Sequence, residues 1–346
     1  MKIVVFLPNW LGDMVMATPT LRALRRHFGP EAMIVGVMRP YLAAVLAGTD
    51  WLNEQWYFDP RAEERHLRRP ALIRRLRREG FDLAVLLPNS LGSALSAWRG
   101  AVRRRLGYMR DGRGLLLTDR VRVPSVRELP MVDYYLKLAE VAGCAPESRR
   151  LELRVTPADE QSADEVFRRL GLRSDGRIVT LNSGSSNGEA RNWPTEYFAA
   201  LAQQVVDRLD HQVLVMCGPR ERRAAMEIVE RAGRPGVFSM ADQPLDLGTA
   251  KACIARTRIM VSTDSGPRHM AAALGSSVVT LRGPTLPIWS ENPTVQAVDL
   301  RLDLDCIECR QPVCPLGHHR CMRELPVEMV YAAVAKLASG PQRAAA

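Results

Sequence analysis

Short apolar runs, each closed by small or polar residues and followed by an amphipathic stretch, recur along the whole chain and leave few folds open to it. In the first half they are Ile3 to Leu7, Met33 to Met38, Gln55 to Phe58 and Asp82 to Leu87. In the second half they are IVTLNSGSS, HQVLVMCG, RIMVSTDSG and SVVTLRGPT. Such runs, bounded by Gly, Pro and small polar residues, read as strands covered on both faces, the condition of a parallel sheet. The amphipathic stretches between them then pack on the two sides of that sheet. At 346 residues the chain is too long for one comfortable core, and the polar text at Ala145 to Arg150 marks a break. The expected fold class is α/β, with two doubly wound parallel-sheet, Rossmann-like domains facing each other, residues 1–156 and 157–346.

Open parallel sheets bind ligands outside the carboxyl ends of their strands, so the residues that close each run are the candidates for chemistry. NWLGDM closes the first. Met14, Ala17, Leu21, Leu24 and Phe28 recur at steps of three and four, so one helix is expected there, with Asp13 at its start. Asp13 then has two readings: an N-cap serving orphan backbone N–H groups, or a carboxylate in the ligand crevice.

In the second half NSGSSNGEARNWP places Ser183, Gly184 and Ser185 just past a strand, a loop suited to presenting N–H groups and hydroxyls to phosphate, with Arg191 as a charge-assisted partner. In STDSGPRHMAAALG, Asp264, Ser265 and Gly266 end a strand and open a helix, and His269 lies one turn in. That arrangement suits a diphosphate at a helix N-terminus. Neither GxGxxG nor GxxxxGK[ST] occurs.

The formal charge of +10 lies entirely in the first half, where residues 1–150 hold 25 Lys and Arg against 15 Asp and Glu, while residues 151–346 hold 23 of each. It concentrates in RHLRRPALIRRLRREG and VRRRLGYMRDGRG. A solvated helix face is one reading; attraction to an anionic membrane surface or a phosphorylated acceptor is the other. Aromatic residues make up only 6% of the chain and do not interleave these arginines as a stacking platform for single strands would require, which turns the reading away from nucleic acid. No apolar run reaches the roughly 18 residues of a membrane span, so a cytoplasmic protein is expected. Cys306, Cys309, Cys314 and Cys321 crowd one short segment beside His318 and His319, a donor set suited to a structural zinc, with free thiols or a labile disulfide as alternatives.

NWLGDM, ARNWP, the GPRERRA helix start, STDSGPRHMAAALG and CPLGHHRCM together resemble the ADP-heptose:lipopolysaccharide heptosyltransferases of glycosyltransferase family nine, most closely the heptosyltransferase II branch. The resemblance covers nearly the whole chain and implies the GT-B fold and an inverting reaction needing no catalytic metal. It implies an acceptor-binding N-terminal domain and a C-terminal domain that binds ADP-heptose. Asp13 matches the family's catalytic aspartate; Asp264, Ser265, Gly266 and His269 match donor-binding positions, and Glu221 falls where a glutamate holds the nucleoside. Arg191 stands where the family usually has lysine, and Pro267 and Arg268 where it has apolar residues. The implied acceptor is the phosphorylated, lipid-linked oligosaccharide of the lipopolysaccharide inner core, reached by peripheral contact with the inner membrane face and without nucleic acid. Two other readings are a sugar-nucleotide epimerase of similar two-domain fold and a basic nucleic-acid-binding protein with a zinc knuckle.

Overall fold

The computed structural model describes residues 1–123, 129–184 and 188–340, so Ser185 lies outside the described residues. The chain divides into two compact units, Met1–Leu153 with Ile288–Asn292, and Arg154–Pro287 with Pro293–Ala346. The division falls three residues before the expected one. The expected boundary instead marks the start of the helix Pro157–Leu170, fixed by a capping box in which Thr156 and Asp159 exchange bonds.

The first unit is built on six parallel strands, β1 (Lys2–Phe6), β2 (Met33–Met38), β3 (Glu54–Tyr57), β4 (Leu83–Leu86), β5 (Arg104–Tyr108) and β6 (Asp119–Val121), in the order β3-β2-β1-β4-β5-β6. Val4, Phe6, Val35, Val37, Ala84 and Leu86 form one buried face, packed against Leu72 and Leu76 of the helix Arg69–Glu79 and Ala94 and Ala97 of the helix Leu91–Arg99. The second unit repeats this plan with β7 (Ile178–Asn182), β8 (Gln212–Met216), β9 (Val237–Ser239), β10 (Ile259–Thr263), β11 (Ser277–Leu281) and β12 (Ala297–Leu300), ordered β12-β11-β10-β7-β8-β9. Counted within its own unit, each sheet has the same order, and each reverses direction between its first and fourth strands. The reversal leaves a crevice at the carboxyl end of the first strand, where doubly wound sheets bind ligands.

Two expectations change. The single helix expected after β1 is two, Leu11–Met16 and Thr18–Phe28, joined at Ala17. Pro19 has no N–H to give the carbonyl of Val15, and the Thr18 hydroxyl takes that carbonyl instead at 2.7 Å. The second basic stretch contains β5, so its arginines divide: Arg103, Arg104 and Arg110 stay exposed, while Arg105 and Arg113 turn into the fold. Arg104 pairs with Asp119 on the neighbouring strand at 2.8 Å, and Arg105 donates to the carbonyls of Leu116 and Val102. Arg113 is fully buried and donates to the Tyr108 carbonyl at 2.8 Å and Asn89 Oδ1 at 3.0 Å.

Candidate active site

In the first unit, the reversal point is served by the loop after β1. Its N-cap residue is Trp10, in extended conformation, and Asp13 is the third residue of the helix Leu11–Met16. Asp13 is therefore not the cap, and no side chain caps this helix. Its carboxylate instead accepts a hydrogen bond from the Tyr135 hydroxyl at 3.1 Å, reaching across from the helix Met131–Val141. Among the described residues no cation pairs with Asp13. Burial pushes its pKa above the ordinary carboxylate value, and the Tyr135 bond opposes that rise only in part. The Tyr135 hydroxyl is pushed well up by its own burial and by Asp13, so it stays protonated and remains a donor. A carboxylate that is partly buried, unpaired with cations and raised in pKa is suited to take a proton.

In the second unit, the loops after β7 and β10 meet at the corresponding point. Asn182 is the hub: its Nδ2 lies 3.2 Å from the Gly184 carbonyl, 3.1 Å from Ser262 Oγ and 3.0 Å from Ser265 Oγ. Thr263 adds a bond to the Gly184 carbonyl at 3.1 Å. Ser183 and Gly184 are thereby joined to the Asp264 to Gly266 turn. Gly184 has no room for a side chain, because a Cβ there would collide with the carboxylate of Glu221. Glu221 Oε2 is in turn held by the Gly218 N–H at 2.7 Å. Arg191 donates from Nη1 to the Asp264 carbonyl at 3.1 Å, which fixes its guanidinium at the same turn. The helix Gly266–Ala273 begins there without a side-chain cap, since Ser265 is engaged by Asn182. Its first-turn N–H groups remain available to an anion.

Asp264 is bound from below. Its Oδ1 accepts from Arg268 Nε at 2.9 Å and its Oδ2 from Arg282 Nη1 at 3.1 Å; Arg282 also reaches Asp299 at 2.7 Å. Burial alone would raise its pKa, but Arg268 and Arg282 outweigh burial and hold it far below the usual range. His269, 7% exposed, has its pKa lowered to about 3 by burial and the Arg268 charge, so it is neutral at physiological pH and contributes a hydrogen-bonding imidazole rather than a cation. Tyr135, Asn182 and the two buried arginines were not among the sequence candidates. Of these only Arg282 carried a local signal, a lone arginine ending the apolar run SVVTL.

The four cysteines of the Cys306 to Cys321 segment are free thiols. Cys306 Sγ lies 4.0 Å from His318 Nε2, and backbone N–H groups from Leu316 to His319 lower the Cys314 pKa. Burial and the neighbouring thiols push Cys321 up to about 11. Among the described residues, no three His, Cys, Asp or Glu side chains converge in a way that would hold a metal ion, so the geometry gives the zinc reading no support.

The profile of Glycosyltransferase family 9 (heptosyltransferase) matches residues 69–319, well over half of the sequence. The chain belongs to glycosyltransferase family 9. Lipopolysaccharide heptosyltransferase 2 of Escherichia coli strain K12 is 29% identical over 344 residues, 95% of this chain and 96% of that protein. The solved structure of E. coli ADP-heptose lipopolysaccharide heptosyltransferase II aligns with a TM-score of 0.80 at 26% identity over 98% of both chains. The E. coli heptosyltransferase WaaC, solved with ADP-2-deoxy-2-fluoro heptose, shares the fold, with a TM-score of 0.74 at 16% identity over 97% of this chain and 99% of that one. This family member is thus a glycosyltransferase of GT-B fold, similar along nearly its full length to heptosyltransferase II enzymes.

Proposed function

We propose that this enzyme transfers L-glycero-D-manno-heptose from ADP-heptose to the phosphorylated inner core of lipopolysaccharide, with inversion and without a catalytic metal. The first unit binds the acceptor and the second the donor. Asp13 removes the proton of the acceptor hydroxyl. That oxygen forms its bond to the anomeric carbon as the bond to the β-phosphate oxygen breaks, and ADP leaves with the electron pair. One displacement of this kind inverts the anomeric centre. Ser183, Gly184, Ser265, Gly266 and His269 surround the donor; the helix N-terminus at Gly266 and the Arg191 guanidinium meet the charge that develops on the diphosphate. Glu221, held against Gly184, serves the nucleoside.

The observation that carries this reading is the cation-free, partly buried Asp13 at the reversal point of its sheet, with its pKa raised. Neither the epimerase nor the nucleic-acid reading gains an observation. Part of the second basic stretch is built into β5, and among the described residues no three of the thiols and histidines meet as a metal site. Among the described residues no helix is long and apolar enough to cross a membrane. Contact with the cytoplasmic membrane face is instead proposed through the arginines of the helix Arg69–Glu79, whose Arg74, Arg75, Arg77 and Arg78 are exposed.

The test supplies purified protein with ADP-heptose, or with UDP- and GDP-sugars, and a truncated inner-core lipopolysaccharide, in excess EDTA. ADP release that requires the acceptor, with a matching gain in acceptor mass and undiminished by EDTA, is expected. Equal use of UDP- or GDP-sugars, or dependence on Mg²⁺, overturns the assignment.

A further inference from the structure

The first unit buries most of its large aromatic side chains: Trp51 and Trp56 are 4% and 3% exposed. Trp98 and Tyr57 are exposed by 49% and 45%, and the most exposed are Trp10 and Tyr41, at 56% each. Both lie just past the carboxyl ends of neighbouring parallel strands, Trp10 after β1 and Tyr41 after β2. Neither loop is loose. The Tyr41 hydroxyl donates to the carbonyl of Asn9, the residue before Trp10, and Arg39 Nε donates to Asn9 Oδ1 at 3.2 Å. Arg39 is itself ion-paired with Asp59 just beyond β3. Trp10 is the N-cap residue of the helix on which Asp13 sits three residues later, and the Tyr41 phenol pKa is raised by burial and, to a smaller extent, by the Asp13 carboxylate.

We propose that Trp10 and Tyr41 form a sugar-binding platform of the acceptor subsite, onto which the C–H face of a pyranose ring stacks and so brings its hydroxyl to Asp13. The proposal rests on the reading of Asp13 as the base. Its physical ground is that exposed apolar faces beside a partly buried carboxylate cost solvation in the free protein, while anchored rings lose little further freedom when a partner covers them. A sugar suits them because its C–H face is apolar and its edge carries hydroxyls, one of which must face the base. An acyl chain would satisfy the rings and leave the carboxylate without a partner.

The test compares Trp10→Ala, Trp10→Phe, Tyr41→Ala and Tyr41→Phe with the parent protein. Four readings are taken: steady-state transfer to truncated inner-core lipopolysaccharide, calorimetric binding of its delipidated oligosaccharide without donor, ADP affinity, and co-sedimentation with anionic phosphatidylglycerol vesicles. Each alanine variant is expected to raise acceptor KM by about ten-fold and to weaken oligosaccharide binding similarly, with kcat changed less and ADP affinity unchanged; each phenylalanine variant recovers most of the loss. Using the delipidated oligosaccharide separates the platform from a lipid contact. Loss of binding to anionic phosphatidylglycerol vesicles with unchanged oligosaccharide affinity overturns the proposal in favour of a membrane. Oligosaccharide affinity and acceptor KM unchanged in both alanine variants overturn it outright, as does an equal loss in the phenylalanine variants. Because the binding measurement needs no turnover, absence of transfer by the parent protein would count against the proposed reaction, while calorimetry still decides the platform.

Discussion

The two units share one strand order and use it for opposite electrostatic ends. In the first, the aspartate at the sheet's reversal point meets a tyrosine hydroxyl and no cation, and burial raises its pKa. In the second, the aspartate that follows β10 is gripped by two buried arginines, which press its pKa far down despite burial. The scaffold therefore supplies the place and the neighbours supply the role. Asp13 is left able to take a proton. Asp264 is a fixed anion whose two oxygens are already occupied, so it acts by shaping the turn that presents Ser265, Gly266 and the Arg191 guanidinium.

The sharpest way to break this comparison is to make the same substitution in both units. Asp13→Asn is expected to lower kcat by about two to four orders of magnitude, with ADP affinity unchanged. The sign for stability follows from the raised pKa: the folded state holds the Asp13 proton more tightly than the unfolded chain, so at neutral pH the ionised group costs stability and its removal leaves Tm level or higher. Asp264→Asn should do the reverse. Its pKa is depressed, so it contributes stability above the unfolded carboxylate value and loses that contribution as pH falls toward the folded one. Neutralising it removes the charge that Arg268 and Arg282 share and leaves Arg282 its pair with Asp299, at an expected cost of about 3 kcal/mol seen as a lowered Tm. Calorimetric melts and transfer assays on both variants check the pair; similar melting losses in the two would dissolve the distinction.

A smaller effect tests the cause of the Asp13 shift. The Tyr135 hydroxyl stabilises the ionised carboxylate, so Tyr135→Phe should raise the Asp13 pKa further. The base works only when ionised, so the rate falls as pH drops through that pKa. The acidic limb of the kcat/KM profile is therefore expected to move to higher pH in the variant, with several-fold loss on that limb and near-normal rates at high pH. An unmoved limb would detach Tyr135 from the base.

How far the sequence carried this picture follows from what kind of signal each feature leaves. The β1, β2, β4, β7, β8, β10 and β11 strands are continuous apolar runs and were legible at once, as were Asp13 and the DSG turn that close two of them. The β5 strand was hidden because its first residues are arginines whose partners, Asp119 and the Leu116 carbonyl, lie elsewhere in the chain. The break at Ala17 was written in Pro19, but the three-four stripe runs unbroken through it and masks it. Tyr135 stands 122 residues from Asp13, and nothing local in VDYYLKL marks which of its tyrosines turns inward. The Cys306 to Cys321 spacing brings the other three thiols near enough to Cys321 to raise its pKa, without three ligand side chains meeting as a metal site among the described residues.

The smallest expected effect concerns where the charge sits. The +10 excess belongs to the unit read as acceptor-binding, and of its two basic stretches one is partly built into β5, with Arg103, Arg104 and Arg110 left exposed, while the other stands on the exposed side of the helix Arg69–Glu79. Arg75 there is partly committed, stacked 3.7 Å over the Trp56 ring and paired with Glu54. Arg77 donates to the Arg99 carbonyl, which leaves its charge uncancelled. If this helix meets the lipid surface that carries the acceptor, Arg74→Gln with Arg77→Gln should weaken co-sedimentation with phosphatidylglycerol vesicles, since each arginine near such a surface contributes about 1 kcal/mol. The loss should fade as salt shortens the screening length. Arg208→Gln with Arg231→Gln, drawn from exposed helices of the uncharged half, should leave vesicle binding alone. Equal loss in the two double variants would mean that net charge, not the placement of a basic helix on the acceptor unit, governs the association.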